Sequence, residues 1–205
     1  MKEFEKTIIK KGYKRIIGLD EAGRGPVAGP VVVAGVILDM KKIPKGINDS
    51  KKLSPKKREE LFSKIFDTAL FVGVSFVSEE TIDRINILKA TLKGFKEVIR
   101  FSFADYALLD AVKLSEEIVP SLSIIKGDQK SVSIAAASIV AKVMRDRYMK
   151  RQEKLFPGFS FSKHKGYLTK AHQDELIEHG FCKIHRLSFE PVKTMKALNL
   201  KKTNC

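Results

Sequence analysis

Tryptophan is absent from this chain of 205 residues, cysteine occurs only twice, and acidic residues are outnumbered by basic ones, 24 Asp+Glu against 39 Lys+Arg. Each shortage excludes something. Cys182 and Cys205 lie far apart, so neither a disulfide framework nor a cysteine-based zinc site is expected. The longest apolar stretch, residues 26 to 38, is broken by Gly and Pro and falls short of the ~20 residues a membrane-spanning helix needs. The first fifteen residues are charged and lack the apolar segment of a secretory leader. The reading is a cytoplasmic chain with no membrane partner. The acid deficit leaves a net charge of +15, which points to a polyanionic partner. Hydrophobic residues at 43% and 13 phenylalanines suffice for one compact core.

The densest chemistry lies near the N-terminus. The apolar run Ile16-Ile17-Gly18-Leu19 ends on Asp20-Glu21 and enters the turn Ala22-Gly23-Arg24-Gly25-Pro26. Adjacent carboxylates repel unless a cation or a proton intervenes, and a hard divalent metal is the simplest such cation. Gly23 and Gly25 let the backbone approach a ligand while Arg24 stays available for phosphate. The same residues satisfy G-x-G-x-x-A, but that dinucleotide fingerprint requires a following helix. Pro26, Pro30 and the β-branched run Val31 to Leu38 supply a strand instead.

Periodicity places strands at 16–20 and 31–38, joined as a hairpin, and a helix over 55–68 with Ser54 as N-cap and Pro55 in its first turn. Residues 71–77 alternate as a strand. A helical region over 79–100 breaks near Asn86. The runs 106–110 and 122–128 each end on an acid, Asp110 and Asp128. A small-residue helix over 131–148 follows, whose basic end, with Lys142, Arg145 and Arg147, is expected to face solvent or a polyanion. A turn-rich segment then leads to a helix near 169–179. His164, His172, His179 and His185 match no zinc spacing, and the last three are read as lying on or beside a helical surface. Asp49 and Asp146 are read as structural.

Taken together, Asp20-Glu21-Ala22-Gly23-Arg24-Gly25-Pro26, Asn48-Asp49-Ser50-Lys51-Lys52-Leu53, Lys126-Gly127-Asp128, Ala135 through Asp146, His164-Lys165-Gly166-Tyr167 and His185 through Pro191 resemble the type 2 ribonucleases H, known in bacteria as ribonuclease HII. The resemblance implies an α/β, RNase H-like fold with a mixed central sheet flanked by helices and a small helical C-terminal part. The corresponding division is a basic extension 1–15, a catalytic domain 16–155, a substrate-binding helical part 156–200 and a disordered tail 201–205. It also implies cleavage of RNA in RNA-DNA hybrids, including a single ribonucleotide in duplex DNA cut on its 5′ side, with a role in ribonucleotide removal.

The family's metal-binding acids map onto Asp20, Glu21, Asp110 and Asp128, with Mg²⁺ or Mn²⁺ as cofactor, two ions during catalysis and water as nucleophile. Ribose recognition is expected from Gly23-Arg24-Gly25 and Tyr167. Phosphate contacts are expected from Arg24, Asn48, Ser50 and Lys51, with Arg145 and Arg147 holding the flanking duplex. A monomer is expected. A non-catalytic nucleic-acid module is the alternative, but it leaves the acids unexplained. His185-Arg186 acquires no mechanistic role from the sequence. One departure is notable: the third acid is commonly followed by glycine, whereas Asp110 is followed by Ala111. Either that position is not left-handed or the strand end is adjusted.

Overall fold

The computed structural model describes residues 1–114 and 118–199; the tail 201–205, expected to be disordered, lies outside them. Along the chain come helix α1 (Glu3–Lys10), strands β1 (Ile16–Ala22) and β2 (Val31–Leu38), α2 (Pro55–Thr68), β3 (Ala69–Val77), α3 (Glu79–Ile85), α4 (Ile87–Phe101), β4 (Tyr106–Asp110), β5 (Ser121–Ile124), α5 (Val132–Leu155), α6 (Phe161–His164), α7 (Lys170–His179) and α8 (Val192–Ala197). Short 3-10 turns occupy Ser50–Lys52 and Gly127–Gln129. Ser54 caps α2 by accepting from Lys57 N, with Pro55 at the first helical position, and Asn86 turns left-handed between α3 and α4 at φ 68°. Local capping and propensity therefore suffice for these boundaries.

Two compact units divide the chain, and neither is contiguous in sequence: one takes Met1–Ala22, Val32–Phe76 and Thr91–Val143, the other Gly23–Val31, Val77–Ala90 and the chain from Met144 onward. The first contains the five-stranded sheet, in the order β3-β2-β1-β4-β5. β1 runs antiparallel to β2 and parallel to β4, and β4 parallel to β5, so the sheet is mixed. Side chains alternate across it as pleating demands. Ile17, Leu19, Ala107 and Leu109 bury against Phe95, Val98 and Ile99 of α4. Ile16 and Leu108 point the other way and pack with Ile8 of α1 and Ile134 of α5.

The N-terminal extension is part of this unit. Glu5 is fully buried, and its carboxylate accepts from Ser131 Oγ at 2.5 Å and from Ser133 N at 3.0 Å. A carboxylate at the first turn of a helix satisfies orphan amides and complements the dipole. Glu5 therefore caps α5 from across the fold.

The second unit has its own core, built from Val27, Ala28, Met149, Phe156, Phe159, Phe161, Leu176, Ile184 and Val192. Three histidines complete it. The expectation that His172 and His185 lie at a helical surface is corrected: they are 0% and 1% exposed. The hydrogen bonds assign their protons. His172 Nδ1 lies 2.9 Å from the Tyr167 carbonyl and must donate, so His172 Nε2 accepts from His185 Nε2 at 3.0 Å, while His185 Nδ1 accepts from Cys182 N. His164 Nδ1 accepts from Gly166 N, which leaves Nε2–H to donate to Glu175 at 2.9 Å. His164, His172 and Glu175 bring ligand atoms within 4.8 Å of one another. The His164 and His172 rings stack at 4.0 Å and 17°, so their lone pairs lie in near-parallel planes and do not converge on one ion.

Burial, with the neighbouring imidazole as the next cause, pushes His172 down to about 4 and His185 down to about 3. In the unfolded chain these groups take protons near pH 6.5, whereas the folded state refuses them until much lower pH. Stability is thus full above about 6.5 and is lost as pH falls through that value. Between pH 6.5 and 5 each is expected to cost about 2 kcal/mol. Hydrogen exchange of the α7 amides at pH 7 and pH 5 measures this, and equal protection at both would contradict it.

Candidate active site

Pleating and the parallel register of β1 and β4 bring two of the acids together. Asp20 shares its face of β1 with Ile16 and Gly18, and Asp110 shares its face of β4 with Leu108, the neighbour of Gly18 in the parallel register. Both carboxylates therefore emerge at the C-terminal ends of adjacent strands on the side covered by α5, where open α/β sheets place their ligands. Asp128 arrives differently. β5 ends at Ile124, and Asp128 sits in the 3-10 turn Gly127–Gln129 just before α5, rather than at the strand end expected from the sequence. Gly127 N donates to Asp110 Oδ1 at 2.7 Å, which ties the turn to β4.

Oxygens of Asp20, Asp110 and Asp128 lie within 4.8 Å of one another. Asp20 and Asp128 are 5% and 3% exposed. Burial first, then the charges of Glu21 and Asp110, raise Asp20 well above the ordinary carboxylate range, partly offset by hydrogen bonds from Glu21 N and Ser138. Burial and the charges of Asp49 and Asp110 raise Asp128 in the same way. A cluster of mutually repelling, half-desolvated oxygens with no nitrogen or sulfur among them fits a hard divalent cation such as Mg²⁺ or Mn²⁺. Asp20, Asp110 and Asp128 would hold it, with Glu21 beside Asp20 in sequence.

Further side chains orient this cluster. Ser138 of α5 is near enough to Asp20 for its hydroxyl to favour the ionised carboxylate and lies 2.8 Å from Ser50 Oγ, so Ser50, expected to contact phosphate, is instead turned inward and 4% exposed. Asp49 Oδ1 accepts from Lys51 N at 2.9 Å, its other oxygen accepts from Gln129 Nε2 at 3.3 Å, and its charge bears on Asp128. Asn48 and Lys51 remain exposed at the rim of that loop. Nothing local to Ser138 marks it: a serine in an alanine-rich helix acquires a partner only when the helix is laid on β1.

Ala111 resolves the departure noted above. Its φ is +48°, so the position is left-handed and the residue carries the strain. Ala111→Gly is expected to stabilise the protein by about 0.5 kcal/mol, relief of the strained φ being partly offset by unfolded-state entropy. A denaturant midpoint shows it, and a loss of stability would mean that the alanine methyl packs usefully.

In the second unit, Gly23 and Gly25 have different work. A Cβ on Gly23 would meet Arg145 Nε at 2.0 Å, whereas one on Gly25 meets nothing nearer than Tyr167 Cε1 at 3.8 Å. Arg24 and Gly25 are exposed and Tyr167 is 45% exposed. Arg145, expected to face a polyanion, is a correction. It is 1% exposed, and its guanidinium donates to the carbonyls of Pro30, Lys165 and Ala28. A planar fork with fixed donors suits that task better than an exposed phosphate contact. Arg147 is exposed on the same helix, as are Lys150 and Lys154.

A family model described as Ribonuclease HII matches residues 17–192. The chain is 49% identical over 188 residues to a ribonuclease HII of Acetivibrio thermocellus, covering 91% of this chain and 73% of the relative. It is 48% identical over 189 residues to that of Caldicellulosiruptor saccharolyticus, covering 91% and 92%. Among solved structures, ribonuclease H2 from Pyrococcus horikoshii matches with a TM-score of 0.75 at 27% identity, covering 90% of this chain and 98% of that one. The Archaeoglobus fulgidus RNase HII, solved as a complex with PCNA, matches at 0.74 and 30% identity, covering 86% and 96%.

Proposed function

The chain belongs to the ribonuclease HII family, a family of metal-dependent endoribonucleases, and on that premise we propose that it hydrolyses the RNA strand of RNA-DNA hybrids and cuts on the 5′ side of single ribonucleotides embedded in duplex DNA, as a cytoplasmic monomer. The observation that carries this reading is the convergence of Asp20, Asp110 and Asp128 within 4.8 Å, on a chain whose sequence runs directly from Asp20-Glu21 into Gly23-Arg24-Gly25.

The four acids Asp20, Glu21, Asp110 and Asp128 hold the metal, two Mg²⁺ or Mn²⁺ ions in this reading. When bound, such ions supply Lewis acidity that activates water and offsets charge developing at the phosphate. The chain's own groups do the rest. Asp20 stays oriented through Glu21 N and Ser138, and Asp110 through Gly127 N. The backbone of Gly23-Arg24-Gly25 and the half-exposed Tyr167 read the 2′-hydroxyl that distinguishes ribose from deoxyribose. Arg24, Asn48 and Lys51 meet phosphate, and Arg147 with Lys150 and Lys154 supports the flanking duplex, giving salt-sensitive, sequence-independent affinity.

Duplex DNA with one internal ribonucleotide, a long RNA-DNA hybrid and an all-DNA duplex, each with Mg²⁺, Mn²⁺ or EDTA, test the proposal. The expected result is metal-dependent cutting of the first two, at the 5′ side of the lone ribonucleotide, and none of the third. Tyr167→Ala should lose most of the activity on the single ribonucleotide. Binding without cutting under either metal would favour a non-catalytic module, and cutting of the long hybrid alone would remove the single-ribonucleotide activity.

A further inference from the structure

Arg186 is 0% exposed, and the hydrogen bonds of its guanidinium converge on one turn. Nε donates to the Gly29 carbonyl at 2.9 Å, Nη1 to the Arg24 carbonyl at 2.9 Å and Nη2 to the Gly23 carbonyl at 2.5 Å. Arg145 holds the rest of the same turn through Ala28 and Pro30, and joins it to the Lys165 carbonyl of the H-K-G-Y segment. Burial lowers Arg186 to about 9, so the group remains a cation at neutral pH.

The consequence follows from peptide planarity. Among the described residues only the Glu190-Pro191 bond is cis, so the peptides after Gly23 and Arg24 are trans, with C=O and N–H on opposite sides. Pulling the carbonyls of Gly23 and Arg24 inward onto one guanidinium turns the N–H groups of Arg24 and Gly25 the other way, on a turn whose tip is exposed. A planar fork holds its donors apart in fixed directions and so reaches these separate carbonyls at once, whereas the three donors of a lysine ammonium radiate from a single atom.

We infer that Arg186, with Arg145 behind it, is a positioning residue for ribose discrimination: it aims the Arg24 and Gly25 amides at the 2′-hydroxyl without itself touching substrate. This rests on the ribose-reading turn proposed above. It also assigns Gly23 a purpose, since any side chain there would occupy the place of the Arg145 guanidinium.

The test is a ratio, because a merely structural role lowers the folded fraction equally for every substrate. Affinity for an all-DNA duplex and for the same duplex with one ribonucleotide is measured in EDTA, where nothing is cut, for wild type and Arg186→Lys. Wild type should prefer the ribonucleotide, and Arg186→Lys should lose about tenfold of that preference while binding all-DNA duplex within about twofold of wild type. Lack of preference in wild type would overturn the ribose-reading turn itself. A preference preserved in Arg186→Lys would overturn the role of Arg186 alone. If Arg186→Lys does not fold, amide exchange in wild type decides: the Gly25 N–H should gain protection with the ribonucleotide duplex and not with all-DNA, and equal protection by both overturns the inference.

Discussion

Asp20→Asn is expected to abolish cutting and, in the same protein, to raise the melting temperature measured in EDTA. The activity loss follows from removing a charged ligand from the carboxylate cluster; metal-assisted stabilisation of the transition state is worth several kcal/mol, so the rate should fall by about 10³-fold or more. The stability gain follows from the cluster's electrostatics. Asp20 is raised by burial first and then by the charges of Glu21 and Asp110. A carboxyl that ionises later in the folded state than in the unfolded one subtracts stability at neutral pH, and the penalty disappears as pH falls toward the raised value. Each unit of that difference is worth about 1.4 kcal/mol.

The amide removes the charge and keeps the bonds: its oxygen can accept from Glu21 N, and its NH₂ can donate to the Ser138 hydroxyl. Wild type should gain stability when Mg²⁺ or Mn²⁺ is added, through mass action on the folded state, and Asp20→Asn should gain little. Scanning calorimetry with EDTA and with each metal, alongside the cleavage assay, reads all of this. A mutant that melts lower than wild type in EDTA would show that the acids are not mutually strained. One that still cuts would remove Asp20 from the site.

Gly18→Ala is the substitution expected to cost most in stability. A Cβ at Gly18 would lie 2.1 Å from Ser133 C, 2.4 Å from Ile134 N and 2.4 Å from Ser133 O. These are backbone atoms of α5, so no rotamer change relieves the clash. The helix must lift from β1, carrying Ser138 away from Asp20 and Ser131 and Ser133 away from Glu5. We expect a loss of about 3 kcal/mol or more, read as a drop in the denaturant midpoint of the unit holding the sheet, with reduced activity in whatever remains folded. Gly25→Ala is the stability control, since its nearest contact would be an ordinary 3.8 Å. A Gly18→Ala protein as stable as that control would mean that α5 does not press on β1 as closely as described.

Gly18 also marks where legibility ended. The apolar run around it reads as a strand, and nothing in the run says why one position must lack a side chain. Ala111 is a similar case: the family pattern marks the position as unusual, but whether its φ was left-handed could not be read from a residue that disfavours it. The histidines were read on spacing, which excluded a zinc pattern but could not report that His172 and His185 share one hydrogen bond inside a phenylalanine-lined core.

What the sequence by itself determined was local: apolar alternation set the strands, Ser54 and Pro55 began α2, Asn86 ended α3, and carboxylates following apolar runs marked Asp20, Glu21, Asp110 and Asp128 as candidates for chemistry, the last of them in a 3-10 turn and not at a strand end. These signals are legible because their causes act within a few residues. Only the tertiary structure decided that Asp20 and Asp110 share a face, that Ser50 supports Ser138, and that Arg145 and Arg186 are buried. Arg145 bonds Pro30, 115 residues away, and Arg186 bonds Gly23, 163 residues away. Their acceptors are backbone carbonyls, which every residue carries, so no side-chain pattern announces them until the fold brings the two segments together.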